Sequence, residues 1–443
     1  MYLGSRRRTG SLGALAALGL AVTACGSSAP SSSSSSSGNG NGSPLLVGVV
    51  APFTGADASL GPRYYAACVP ASLAINKAGG IMGHKVSCQQ FDTRGEPADA
   101  VPAAQQMIAS NSNLMAVVGC TSDEASSVVP IIDHAHVPMF CMTGQSEFNK
   151  SSFTYFHRLV PPDEFDAYAL VGSALDNSHY KRIALVFGND IGSQAFVQPA
   201  MTALQNLGAT VTINQALALG QSSYRTEVTA MLATHPDAIF TEALGSTDAT
   251  YLSEVKQLNG SSIPFMGTSA TIDPVWFSAV SGAIGVPDVL QYFQAVDLGV
   301  SFTGPGYDDF LANLTASAAS NPDAIKYKET GSTLHLYDGI MQTALAMDAT
   351  KSTDPTVYNP EIVKIGNGVS GAVEVNTYAA GVAALASGKS IKWVGAGGPT
   401  AYDKYNNSQQ GYILVKYDAQ GNEVQFGKLT EAQTAAVIHA GGG

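Results

Sequence analysis

Basic residues are scarce. Lysine and arginine together number 22 in 443 residues, against 34 aspartates and glutamates, a formal charge of −12. A chain of this sign has little with which to neutralise a phosphate backbone or an anionic bilayer, which argues against nucleic acid and against a charged lipid surface as partners. Charge of either sign is thin, 13% of residues, while 45% are hydrophobic, so the chain can bury a large core. Beyond the first two dozen residues there is no apolar run approaching the roughly 20 residues that a membrane span needs. The motifs of common active sites are missing too. No CxxC or HExxH spacing points to a metal, and His134, His136 and Cys141 fall at a helix end and a strand end rather than on one face. No GxSxG follows a strand, and GAGG at 395–398 lacks the lysine of a phosphate loop. Neither a cofactor nor catalysis is expected.

Cysteine is rare as well, five in all, and its placement is informative. Arg6, Arg7 and Arg8 precede an apolar run from Leu12 to Val22, the layout of a secretory signal. Val22, Thr23, Ala24 and Cys25 resemble a bacterial lipobox. That resemblance implies removal of residues 1–24 and acylation of Cys25. From Gly26 to Ser43 no large apolar side chain occurs, so residues 25–43 read as a lipidated cysteine and a disordered tether. A flexible coil of that length spans about 21–25 Å. Two or more acyl chains anchor stably, so the expected location is the extracellular face of the cell membrane. Without the three signal arginines, 19 bases stand against 34 acids. The other cysteines, Cys68, Cys88, Cys120 and Cys141, are even in number in an exported chain, where disulfides persist; three pairings are open.

The remaining 400 or so residues suit two lobes rather than one core. Apolar, β-branched runs recur at 45–51, 85–92, 114–119, 139–141, 182–187, 210–217, 238–243, 264–267 and 289–296. Such short continuous runs fit strands buried on both faces of a parallel sheet, and the helical stretches between them give an α/β class. The first helix is predicted to start at Pro62, to be kinked at Pro70, and to end with Lys77 in its last turn and Gly79 or Gly80 in the left-handed cap. Strands begin about every 30 residues in two successive sets, with Pro161 and Pro162 at the junction. Residues 411–429 read as two strands with a turn at Gln420–Gly421.

The segments LLVGVVAPFTGADASLG, INKAGGIMGHKV, FDTRGEPADAV, AVVGCTSDEASSVVP and HVPMFCMTGQS, then FGNDIGSQAF, DAIFTEALGSTDATYLSEVKQLN and GPTAYDKYNN, follow one another over 45 to about 430. In order and spacing they resemble the branched-chain-amino-acid-type binding proteins of ABC importers. The resemblance implies two doubly wound parallel-sheet lobes joined by three hinge crossings. Residues 44–162 with 293–402 would form the first lobe, and 163–292 with 403–436 the second. Ligand would bind between them at the carboxyl ends of strands, where open α/β sheets bind in general.

By the same resemblance, the first-lobe pocket falls on Cys120, Thr121 and Ser122 and on Thr143, Gly144 and Gln145, whose hydroxyls and N–H groups would hold a carboxylate. In the second lobe the family's covering tyrosine is replaced by Ile191. Its ammonium-pairing acid is replaced by Thr268 or Ser269, leaving Glu242 as the substitute. Leu244, Ile191 and Tyr337 would form an apolar wall. Cys68–Cys88 would join the first helix to the second strand, and Cys120–Cys141 the ends of two neighbouring strands. The expected function is that of a lipid-anchored, monomeric solute-binding protein. It would take a small-molecule ligand (amino acid, amide or small organic acid) to an ABC permease in the membrane. The alternative is a ligand-sensing receptor of the same fold.

Overall fold

The computed structural model describes residues 43–442 other than 56, 409 and 410; the signal segment, Cys25 and most of the tether lie outside them. Strands β1 (Leu45–Ala51), β2 (Val86–Asp92), β3 (Leu114–Gly119), β4 (Met139–Cys141) and β5 (Phe156–Arg158) form a parallel sheet in the order β2-β1-β3-β4-β5. Strands β6 (Arg182–Gly188), β7 (Thr210–Leu217), β8 (Ala238–Glu242), β9 (Phe265–Gly267) and β10 (Phe293–Leu298) repeat the winding in a second sheet, β10-β9-β8-β6-β7. A small third sheet joins β11 (Val373–Val375), β12 (Ile391–Gly395) and β13 (Gly398–Pro399). The hairpin of β14 (Tyr412–Tyr417) and β15 (Glu423–Lys428) then adds to the second sheet, with β14 antiparallel to β10.

The first sheet shows why these runs become strands. Every residue of β1 is buried. Val47, Val49 and Ala51 pack under the helices Leu60–Lys77 and Gly331–Thr350, while Val50 faces the helices Pro97–Ser110 and Ser122–His134. Side chains alternate across a strand, so a sheet covered on both faces demands apolar residues at every position. Each fully buried Val or Leu contributes about 1.5–3 kcal/mol. The second sheet likewise divides its apolar residues between two clusters.

Several boundaries differ from expectation. The first helix begins at Leu60 and runs unbroken through Pro70 to Lys77, with Gly79 and Gly80 both at positive φ. The run 289–296 is only half strand. Gly285, at φ 95°, and Pro287 launch a helix over Val286–Tyr292, because proline in the first turn lacks only an N–H the helix does not use. The strand therefore starts at Phe293. It also lies in the other lobe: Phe293–Leu298 pairs with β9 and β14, so that crossing follows Leu298, not Tyr292. Residues 403–408 in turn stay with the first lobe. Asn407 bridges Arg158 and its Nδ2 donates to the carbonyls of Phe148 (3.2 Å) and Asn149 (3.0 Å). Strands β5, β11 and β13 have three residues or fewer, too short for a period to register.

Cys68 is joined to Cys88 with Cα atoms 6.1 Å apart, and Cys120 to Cys141 at 5.3 Å. Among the described residues no helix is long and apolar enough to cross a membrane.

Candidate ligand-binding site

Each sheet reverses its strand order beside its first strand, between β1 and β3 and between β6 and β8. The loops leaving those strands diverge to opposite faces and leave a crevice. Here the two crevices face each other. Asp57 follows β1, Thr121 to Asp123 follow β3, Asp190 follows β6 and Glu242 ends β8, and all of them line one cavity.

The loop after β3 turns sharply. Gly119 has φ 108° and its Cys120 neighbour 62°; a Cβ on Gly119 would collide with the Val50 carbonyl. That turn starts the helix Ser122–His134 at the cavity wall. Thr121 Oγ1 donates to the buried Glu124 carboxylate, and Ser122 Oγ meets Thr143 Oγ1 at 3.1 Å.

Of the expected ligand contacts, Thr121, Ser122, Glu242, Leu244 and Ser269 line the cavity. The others do not. Thr143 is fully buried and spends its hydroxyl on Ser122 and Gln145. Gly144 sits at the lobe crossing, where its carbonyl accepts from Asp163 N at 2.8 Å and a Cβ would clash with the Asp163 carboxylate. Gln145 carries that turn on, its carbonyl accepting from Arg158 Nη1 at 3.3 Å. Ile191 is 51% exposed and touches the other lobe through its backbone. Tyr337 belongs to the first-lobe core, its ring against Phe310 and its hydroxyl on Asp309 at 3.1 Å. The resemblance that suggested Tyr337 for the cleft gives way to simple helix packing: the helix Gly331–Thr350 is buried on nearly all sides.

What the sequence reading missed, apart from Glu242, is acidic. Asp57, Asp123, Asp163, Asp166, Asp190, Asp273 and Asp297 line the cavity with Glu242, and Arg63 is the one lysine or arginine among its lining residues. Burial pushes the Asp57 carboxyl up to about 7, helped by Asp123 and Asp190. Burial likewise lifts Asp166 to about 7 against the opposing donors of Ser269. Asp123 rises to about 6 through burial and Asp190, with the Ile191 and Gly192 N–H groups pulling the other way. Asp163 and Glu242 are raised well above the carboxylate range, chiefly by burial; Thr268 Oγ1 donates to Glu242. These are acids held close together in a poorly hydrated space. A signal for most of them existed: an acid of the lining stands at or shortly after the end of β1, β3, β6, β8, β9 and β10.

Polar contacts join the lobes across the cavity. Asp123 Oδ1 accepts from Ile191 N at 2.8 Å and Gly192 N at 3.3 Å. Arg63 Nη1 stands 3.5 Å from Asp273 Oδ2. The lobes are thus closed on a cavity walled by both. Among the described residues no group of His, Cys, Asp or Glu has the arrangement to hold a metal ion.

Known proteins share this architecture. An amino acid binding protein of Pseudomonas aeruginosa is 21% identical over 313 residues, 70% of this chain and 80% of that one. The substrate-binding protein of a branched-chain amino acid transporter from Streptococcus pneumoniae, solved with isoleucine, superposes with a TM-score of 0.69 at 16% identity, covering 86% of this chain and all of that one. A solute-binding protein of an ABC transporter from R. palustris, solved with benzoate, gives 0.67 at 16% identity over 87% of this chain and 96% of that one. The model of one family, described as periplasmic binding protein, matches residues 44–422. With two lobes of repeated winding, a cavity between their switch points and a match over most of its length, this chain belongs to the periplasmic binding protein family.

Proposed function

We propose that the protein is the lipid-anchored solute-binding component of an ABC importer. It captures a small ligand by closing its two lobes and presents the closed form to a permease. The observation that carries this reading is the cavity at the facing switch points, bridged by Asp123 to Ile191 and by Arg63 to Asp273. Such a site holds a ligand and changes shape with it. The named ligands of the relatives, amino acids and an aromatic acid, support a small carboxylate-bearing ligand. Thr121, Ser122, Glu242, Leu244 and Ser269 are the proposed contacts, with Arg63, Asp57 and Asp166 added from the geometry. The lipid anchor rests on the signal layout ahead of Cys25 and on the following tether.

The test is uptake in the protein's own host. Deletion of the gene should abolish import of the compound that stabilises the purified protein, and re-expression should restore it. Undiminished uptake in the deletion strain would remove the importer assignment.

A further inference from the structure

The cavity lining brings together eight carboxylates and, among its lysines and arginines, only Arg63. Charge alone identifies no ligand, but hydrogen bonding narrows the choice. Asp57 is 8% exposed, and no group among the described residues donates to its carboxylate. Asp166 is 1% exposed; its Oδ2 accepts from Ser269 N at 3.2 Å and Ser269 Oγ at 2.7 Å, while its Oδ1 is buried without a partner. The two acids come from opposite lobes. Buried acceptors are ordinarily satisfied, so Asp166 Oδ1 is an unfilled place for a donor, and the Asp57 carboxylate at the cavity wall can accept a second one.

The same wall holds the converse. Arg63 Nε and Nη1, and the hydroxyls of Thr330 and Ser332, are buried with no acceptor in hydrogen-bond geometry; among the described residues the only carboxylate paired with Arg63 is Asp273, 3.5 Å from Nη1. Thr333 Oγ1 donates to the Arg63 carbonyl at 2.9 Å, which brings the start of the helix Gly331–Thr350 beside Arg63. A guanidinium and two hydroxyls with free donors form a seat for a carboxylate. A diamine would fill the acidic places and leave this seat empty. A neutral amino acid would fill the seat and one acid. Benzoate would fill the seat alone.

We propose that the ligand is a basic amino acid, with its carboxylate on Arg63, Thr330 and Ser332 and its two cationic nitrogens on Asp57 and Asp166. This rests on the solute-binding reading above and names the substrate class of that site. Asp297 adds to the negative field around Asp166.

Calorimetry on the mature full chain tests it, with lysine, ornithine, arginine, leucine, benzoate and cadaverine as probes. At least one of the first three should bind roughly tenfold or more tighter than leucine, benzoate or cadaverine. Asp57→Asn and Asp166→Asn should each weaken that binding roughly 10- to 150-fold, the loss of a hydrogen bond to a charged group. Both variants keep the side-chain shape and remove a crowded charge; should one fail to fold, the other, on the opposite lobe, carries the test. Leucine or benzoate binding where no basic amino acid does overturns the inference and leaves the solute-binding reading standing. Cadaverine binding as tightly as lysine overturns the carboxylate seat. Undiminished binding in both Asn variants overturns the acidic seats. Silence from every probe overturns the inference and counts against the reading beneath it.

Discussion

Asp123 in the first lobe accepts the Ile191 N–H of the second at 2.8 Å, and its backbone lies in the same helix start that lines the cavity. One residue thus belongs both to the cavity wall and to the contact between the lobes. A hydrogen bond to a charged group contributes about 1.5–3 kcal/mol. Asp123→Ala should therefore shift ligand-saturated protein toward the open form. Small-angle scattering should show a larger radius of gyration than wild type at saturation. Identical curves would mean that the contact does not hold the lobes.

The raised acids set the pH response of the ligand-free protein. Asp57 and Asp166 sit near 7 and Asp123 near 6 in the folded chain, against ordinary values near 4 when unfolded. The folded state then binds protons more tightly. Its advantage is complete below about pH 4 and is lost as pH rises through 6 and 7. Thermal midpoints of ligand-free protein should fall between pH 5 and pH 8, and Asp166→Asn should flatten that fall. A midpoint that climbs over this range contradicts the assignment.

The two disulfides close loops of 20 and 21 residues, each contributing about 3 kcal/mol in the chain-entropy model. Cys120–Cys141 also ties the loop carrying Thr121 and Ser122 to the end of β4. Cys68→Ala with Cys88→Ala should lower stability and leave binding intact, while Cys120→Ala with Cys141→Ala should lower both. Denaturant titration and calorimetry separate the two outcomes. Equal affinity in the second pair would show that the bridge does not shape the site.

Cys25→Ser should leave the protein unprocessed or release it from the membrane fraction. Fractionation and mass spectrometry of the mature N-terminus decide it. A variant still cleaved and still sedimenting with membranes would end the lipoprotein reading.

The strands were the most legible part of the sequence. β1, β3, β4 and β7 fall where the sequence runs place them; for β1, β3 and β4 the reason is that a strand covered on both faces needs apolar residues throughout. The run at 289–296 misled because a buried helix end and a buried strand share that composition. At the cavity, the family resemblance pointed to Thr121 and Ser122, and Glu242 was readable from a strand end. Arg63, Asp166 and Asp273 were not. Arg63 lies in a helix that reads as ordinary packing, and Asp166 lies just past the Pro161–Pro162 junction. Asp273 caps the helix Pro274–Ile284 through its other oxygen. Each gains its place only when two lobes wound far apart in sequence close on one another.

That closure has a cost when nothing is bound. Asp57 and Asp123 approach Asp190 from the opposite lobe, and each carboxyl is raised partly by that neighbour. Like charges brought together in a shrinking, drying space resist further approach. Closing the cleft would then compress these charges and opening it relieve them. On the ligand proposed above, a bound cation would offset that repulsion and favour the closed form. On the importer reading, an empty molecule would then be discouraged from presenting the closed shape to a permease.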